Sequence, residues 1–202
     1  MNDLDDIALK MGTDKSTRRH GYTVHYEKYF ANLRSKKIAL LELGVSQGRS
    51  LKMWEAYFPK VAVYGLDVNE FSRECESERI KVFVGSARKV SVLNKVMDTI
   101  GGNLDIVIDD DGHRCGQQRT SLDFLWPFLN PGGIYAIEDL ETSYQNDMGG
   151  GYRSPGNTIE YLKSLVESLN SDFHDIESNP VFDGSLEAVH FYRGLCLLVK
   201  KE

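Results

Sequence analysis

The apolar positions of the chain fall into two alternating patterns. Short apolar runs at 40–43, 61–66, 80–84, 104–108 and 134–137 are too brief for helices, and several carry the near-continuous hydrophobicity of strands buried on both faces. Between them, apolar residues recur three and four apart. Leu51, Trp54, Tyr57 and Phe58 make one helical stripe, and Val92, Leu93, Val96 and Ile100 make a second within a helix over 89–100. A further helix is expected over 117–129, and Ile159, Leu162, Leu165, Val166 and Leu169 mark another over 158–169. Pro59, Gly101-Gly102 and Asn130-Pro131-Gly132-Gly133 supply the stops. A short helix over 3–10 precedes a polar loop, and Tyr22, Tyr26 and Tyr29 then recur at helical spacing through Phe30, which reads as a helix packed on the sheet. DFHDIES at 172–178 reads as a sixth strand and AVHFYRGLCLLVK at 188–200 as one long final strand, the two forming an antiparallel edge. Alternation of strand and helix up to the fifth strand predicts an α/β fold: a single doubly wound, Rossmann-like domain over residues 1–202 with a seven-stranded, mostly parallel sheet.

The first strand ends at Gly44, and Gly44 and Gly48 bracket a turn into the first sheet-packing helix, where the lack of Cβ atoms lets a ligand lie against backbone. Glu42 precedes the turn by two residues and Asp67 closes the next strand, at the distance where an acid can hold ribose hydroxyls. The dinucleotide fingerprint G-x-G-x-x-G is incomplete, because Ser46 and Gln47 stand where its second and third glycines would fall. The E-x-G-x-x-x-G pattern with a later acid resembles the S-adenosylmethionine (SAM) site of class I methyltransferases more than a nicotinamide site.

Composition narrows the classes. With 202 residues and 41% hydrophobic content the chain suits one domain with a substantial core, and a net charge of -6 argues against a nucleic-acid surface. Three scattered cysteines form no C-x-x-C, which fits a reducing cytoplasm and neither a disulfide framework nor a zinc knuckle. MNDLDDIALK has no apolar signal core and no stretch approaches membrane length, so a cytoplasmic protein without a membrane partner is expected. Nothing in the sequence sets the oligomeric state, and a homo-oligomer stays open.

Acids gather at two strand ends. Asp109-Asp110-Asp111-Gly112-His113 follows the fourth strand and Glu138-Asp139 the fifth, on the same rim as Gly44 and Asp67 in an open parallel sheet. Five carboxylates and an imidazole around one crevice repel one another unless a cation is bound, and oxygen-rich ligands suit Mg²⁺ or Ca²⁺ rather than zinc. Either cluster alone is explained as well by solvated acids or helix caps. The glycine-rich stretch 143–157 is the longest without periodicity, which favours a functional loop, and the loop after the first helix is expected to fold over the crevice as a lid within N-terminal residues 1–37.

In order, GTDK before a Tyr-rich helix, LLELGVSQGRSLKMW, YGLD, DIVIDDDGH, LNPGGIYAIEDLETSY and VHFYRGLCLLVKK resemble bacterial metal-dependent sugar O-methyltransferases of the mycinamicin and macrocin type, over nearly the whole chain. The resemblance implies that Asp110, Glu138 and Asp139 hold Mg²⁺, that His113 is the general base, and that Glu42, Gly44, Gly48, Ser50, Asp67, Ser86 and Asp109 serve the SAM site. Two positions depart from that family. D-D-G-S-H becomes D-D-D-G-H, so Asp111 competes with Asp110 as ligand, and Ser86 stands where an acid usually reads the adenine amine. Some members also carry a large N-terminal domain, which is not expected here. The implied reaction is methyl transfer from SAM to a hydroxyl of a sugar or glycosylated natural product. The alternatives are a metal-dependent O-methyltransferase of a catechol-like diol, a nicotinamide oxidoreductase and a non-catalytic binding module.

Overall fold

The computed structural model describes residues 3–202, and two compact units divide the chain, Met1–Ser86 and Ala87–Glu202. The first unit holds helices α1 (Asp3–Met11), α2 (Thr23–Phe30) and α3 (Arg49–Tyr57) with strands β1 (Ile38–Leu43), β2 (Val61–Asp67) and β3 (Ile80–Val84). Its strands are parallel in the order β3-β2-β1, in registers that pair Leu43 with Leu66 and Asp67 with Val84. Of the tyrosines at helical spacing, Tyr22 and Tyr26 are buried in the core and Tyr29 is half-buried. Tyr26 and Phe30 of α2 stack at 5.1 Å between ring centroids, and both meet the fully buried Trp54 of α3 edge-on.

The second unit holds α4 (Val90–Ile100), β4 (Leu104–Asp109), α5 (Cys115–Leu125), β5 (Leu129–Ile137), α6 (Thr158–Leu169), β6 (Leu186–Tyr192) and β7 (Leu195–Lys200). Its strand order is β4-β5-β7-β6, with β4 and β5 parallel and β7 antiparallel to both of its neighbours. Together the units supply the seven strands of one mixed, mostly parallel sheet.

The carboxyl-terminal edge differs from the sequence reading. The run expected as one long strand is two, β6 and β7, turned at Arg193-Gly194, where Gly194 has φ 71° and Tyr192 pairs with Leu195. DFHDIES is not a strand. Its Phe173 and Ile176 are exposed, so it has no face to bury in a sheet. The helix expected over 117–129 spans Cys115–Leu125, and β5 starts at Leu129, running through the Asn-Pro-Gly-Gly stretch read as a helix stop. An irregular register between Leu104 and Ile106 of β4 accommodates those extra residues. Among the described residues no helix is long and apolar enough to cross a membrane.

The polar loop between α1 and α2 is tied down. Asp5 accepts hydrogen bonds from Thr17 N at 2.8 Å, Thr17 Oγ1 at 2.6 Å and Thr23 Oγ1 at 2.6 Å. Burial pushes the Asp5 carboxyl up, but these donors outweigh it and hold it below the ordinary value. A depressed carboxylate contributes stability that is present above its unfolded value and lost as pH falls through the folded one. Asp5→Ala is therefore expected to cost about 3 kcal/mol at neutral pH. In urea unfolding the gap from the parent protein should narrow as pH drops below the ordinary carboxylate range, and a gap constant with pH contradicts this account.

Candidate active site

In the first unit the chain leaves β1 buried and turns sharply. Gly44 N donates to Leu66 O at 2.9 Å, Gly44 has φ 84°, and Gly48 opens α3 at φ 71° with no side-chain cap. Two carboxylates hold this turn from opposite ends. Asp67 Oδ2 accepts from the N–H groups of Val45 and Ser46, both at 2.8 Å, and its Oδ1 accepts from Asn69 N at 2.8 Å. Glu42 is fully buried; its Oε1 accepts from Ser50 Oγ and its Oε2 from Trp54 Nε1, each at 2.6 Å. Asp67 thus accepts three hydrogen bonds and has about one accepting position left, since a carboxylate accepts at about four. Glu42 and Ser50 are bonded to one another, which suits them to shaping the turn. Ser86 follows β3, half-buried, next to Gly85, whose N–H donates to Asp67 O at 2.8 Å.

Gly48 has no room for a side chain. A Cβ there would stand 2.2 Å from Cys75 Cβ, at a positive φ that L-residues rarely adopt. Gly48→Ala is expected to lower stability by about 2 kcal/mol or more in urea unfolding, from left-handed strain and overpacking together. An unchanged midpoint would show that Cys75 yields freely.

In the second unit β4 delivers Asp109, Asp110 and Asp111, and β5 delivers Glu138 and Asp139. Candidate ligand atoms of Asp110, His113 and Asp139 lie within 4.8 Å of one another, and all three residues are half-buried. His113 Nε2 stands 3.5 Å from Asp139 Oδ2, while its Nδ1 is buried without a hydrogen-bond partner. Glu138 is not in that group. It is buried, its N–H donates to Asp109 O at 3.0 Å, and its carbonyl accepts from Gln118 Nε2 at 3.2 Å.

Asp111 has a scaffold role in this geometry. Gln117 Nε2 donates to both its carbonyl and its Oδ2, and His113 N donates to Asp111 O at 2.7 Å, closing the tight turn that aims the imidazole. Gln117 escaped the sequence reading, since a glutamine in the first turn of a helix carries no signal of its own. Asp109 lies beneath, fully buried. Burial pushes its carboxyl up to about 8; Tyr135, its hydroxyl donor at 3.1 Å, opposes this, and the neighbouring Asp111 charge adds to it. Its Oδ1 has no hydrogen-bond partner.

Among the described residues four non-glycine positions have positive φ: Ser46, His113, Asp139 and Arg153. Three of the four belong to the two clusters just described. Strained backbone persists where its surroundings over-determine it, and it concentrates at functional sites.

No family model matches the chain. Individual proteins do. The chain is 35% identical over 209 residues to the 8-demethyl-8-alpha-L-rhamnosyl tetracenomycin-C 2'-O-methyltransferase of Streptomyces olivaceus, covering 98% of this chain and 54% of that protein. It is 31% identical over 213 residues to the mycinamicin VI 2''-O-methyltransferase of Micromonospora griseorubida, covering 98% and 52%. A solved structure of the MycE methyltransferase of mycinamycin biosynthesis, in complex with Mg, SAH and mycinamycin VI, superposes with a TM-score of 0.91 at 31% identity, over 99% of this chain and 54% of that one. The chain is a methyltransferase-fold homologue of sugar O-methyltransferases. It spans about half the length of these relatives. Identity near one third along nearly all of this methyltransferase-fold chain makes a nicotinamide-type site the poorer reading of the glycine turn.

Proposed function

We propose that this chain is one class I methyltransferase domain that moves the methyl group of SAM to a hydroxyl of a sugar or glycosylated natural product, with a divalent cation assisting. The observation that carries the reading is the convergence of Asp110, His113 and Asp139 at the carboxyl ends of β4 and β5. The carboxylates of Asp110 and Asp139, with Glu138 as the third proposed ligand, suit a hard cation such as Mg²⁺, and His113 stands beside them as the base. Bound there, the cation would make a nearby hydroxyl more acidic, as it does for water.

The remaining work falls to the protein's own groups. Asp139 Oδ2 stands 3.5 Å from Nε2 of His113 and orients the imidazole. His113 accepts the hydroxyl proton as the oxygen takes the methyl, so the sulfonium leaves as neutral S-adenosylhomocysteine and the proton stays on the imidazole. Asp67 and the Gly44–Gly48 turn hold the cofactor, with Ser86 beside the adenine. The acceptor is a small molecule, and the net charge of -6 favours it over nucleic acid. Free, buried Cys75, Cys115 and Cys196 fit a reducing cytoplasm.

Calorimetry tests the cofactor half. S-adenosylhomocysteine should bind saturably and NAD should not, with Asp67→Ala weakening the nucleoside without unfolding the protein. Saturable NAD binding with no response to S-adenosylhomocysteine overturns the reading.

A further inference from the structure

Lys15 lies in the loop between α1 and α2, yet its side chain is buried. A lysine is almost never fully buried unless paired, because an unpaired ammonium loses its hydration with nothing in return. Its Nζ stands 3.7 Å from Glu42 Oε1, and Glu42 is itself fully buried. The carboxylate between them does a second job. Ser50 and Trp54 are one turn apart on α3, and Glu42 holds both, so one side chain of β1 sets where the first turns of α3 begin. The glycine turn has no freedom left once β1 and α3 are joined in this way, and Asp67 fixes its outer N–H groups.

We propose that Lys15 is a positioning residue for the cofactor turn: it holds the Glu42 carboxylate in place, and through Glu42 it sets the geometry of Gly44–Gly48. The proposal rests on the reading of that turn as the SAM site. It gives the segment between α1 and α2 a defined role in cofactor binding. Lys15 is held by the loop's own bonds, its N–H donating to Thr13 Oγ1 at 3.4 Å and its carbonyl accepting from Thr23 N at 3.1 Å, while Asp5 anchors Thr17 and Thr23.

The chemistry predicts a pattern that a packing role alone does not. Lys15→Met takes the ammonium away from the buried Glu42 carboxylate, which then shifts and loosens Ser50 and Trp54. Glu42→Gln keeps an acceptor for either donor and removes the charge that needs Lys15. The experiment measures S-adenosylhomocysteine affinity of the parent, Lys15→Met, Glu42→Gln and the double variant by calorimetry, with the Trp54 indole N–H resonance followed by NMR. Lys15→Met should weaken binding about tenfold or more, equivalent to about 1.4 kcal/mol, and displace the indole resonance. The double variant, which leaves neither charge buried opposite a neutral partner, should bind no more weakly than Glu42→Gln and more tightly than Lys15→Met. Parent-like affinity in Lys15→Met overturns the proposal, and so does a double variant that binds about tenfold more weakly than Glu42→Gln. If Lys15→Met fails to fold, the comparison of the double variant with Glu42→Gln decides alone. A parent protein that binds no S-adenosylhomocysteine overturns the cofactor reading instead; the indole resonance then still decides whether Lys15 positions Glu42.

Discussion

His113→Asn is expected to lower kcat by about 10²- to 10⁴-fold, the usual effect of removing a positioned base, while leaving SAM and metal affinity nearly unchanged. Asparagine is the better replacement because position 113 has φ 48°, a left-handed conformation that Asn tolerates and Ala does not. His113→Ala would mix lost proton transfer with backbone strain, and its larger defect would be misread. The loss should shrink at high pH, where the acceptor hydroxyl ionises without help. Steady-state kinetics across pH checks this. A variant with parent-like kcat at neutral pH would move the base elsewhere, with His20 and His25 of the N-terminal segment as the histidines to try next.

Metal dependence should separate the three consecutive aspartates. Asp110→Asn and Asp139→Asn each remove a charged donor from the acid and imidazole group, and the Mg²⁺ concentration for half-maximal activity should rise by more than about 100-fold, beyond the usual effect of disturbing a ligand's support. Asp111→Asn should cost far less. Its Oδ2 accepts from Gln117, an amide oxygen can accept that same bond, and the backbone contact from His113 N is untouched. Titration of activity with Mg²⁺ after chelation distinguishes them. A raised Mg²⁺ requirement in Asp111→Asn alone would show that the ligand register is displaced by one residue.

Much of the fold was legible because the parallel strands are buried on both faces and so appear as unbroken apolar runs. The turn after β1 was legible for a related reason: Gly44 and Gly48 take positive φ, and Gly48 admits no side chain beside Cys75. The carboxyl-terminal edge was harder. Arg193-Gly194 is a weak hairpin signal inside a run that looks continuous, although an isolated glycine in a strand pattern should prompt the question. Phe173 and Ile176 suggested a strand, but nothing in the sequence says that apolar residues will stay exposed.

At the candidate site, sequence could nominate the acids but not divide their labour. Glu42 and Asp67 both looked like cofactor ligands. In the structure Glu42 spends both oxygens on Ser50 and Trp54, while Asp67 holds backbone with capacity to spare. Lys15 could be placed, with His20 and His25, in a polar loop able to reach the crevice, but its pairing with Glu42 could not be seen. Its burial is a tertiary fact that depends on an acid 27 positions away.

The central claim, metal-assisted methyl transfer to a sugar hydroxyl, is tested most directly by incubating the protein with methyl-labelled SAM and a panel of rhamnosylated and other glycosylated polyketides. Product is followed by mass spectrometry with Mg²⁺, with EDTA, and with Mg²⁺ restored. The account predicts a labelled methoxy group on the sugar of at least one glycoside, absent in EDTA and recovered with Mg²⁺. Full transfer in EDTA, or label found on a catechol-type acceptor and on no sugar, would contradict it.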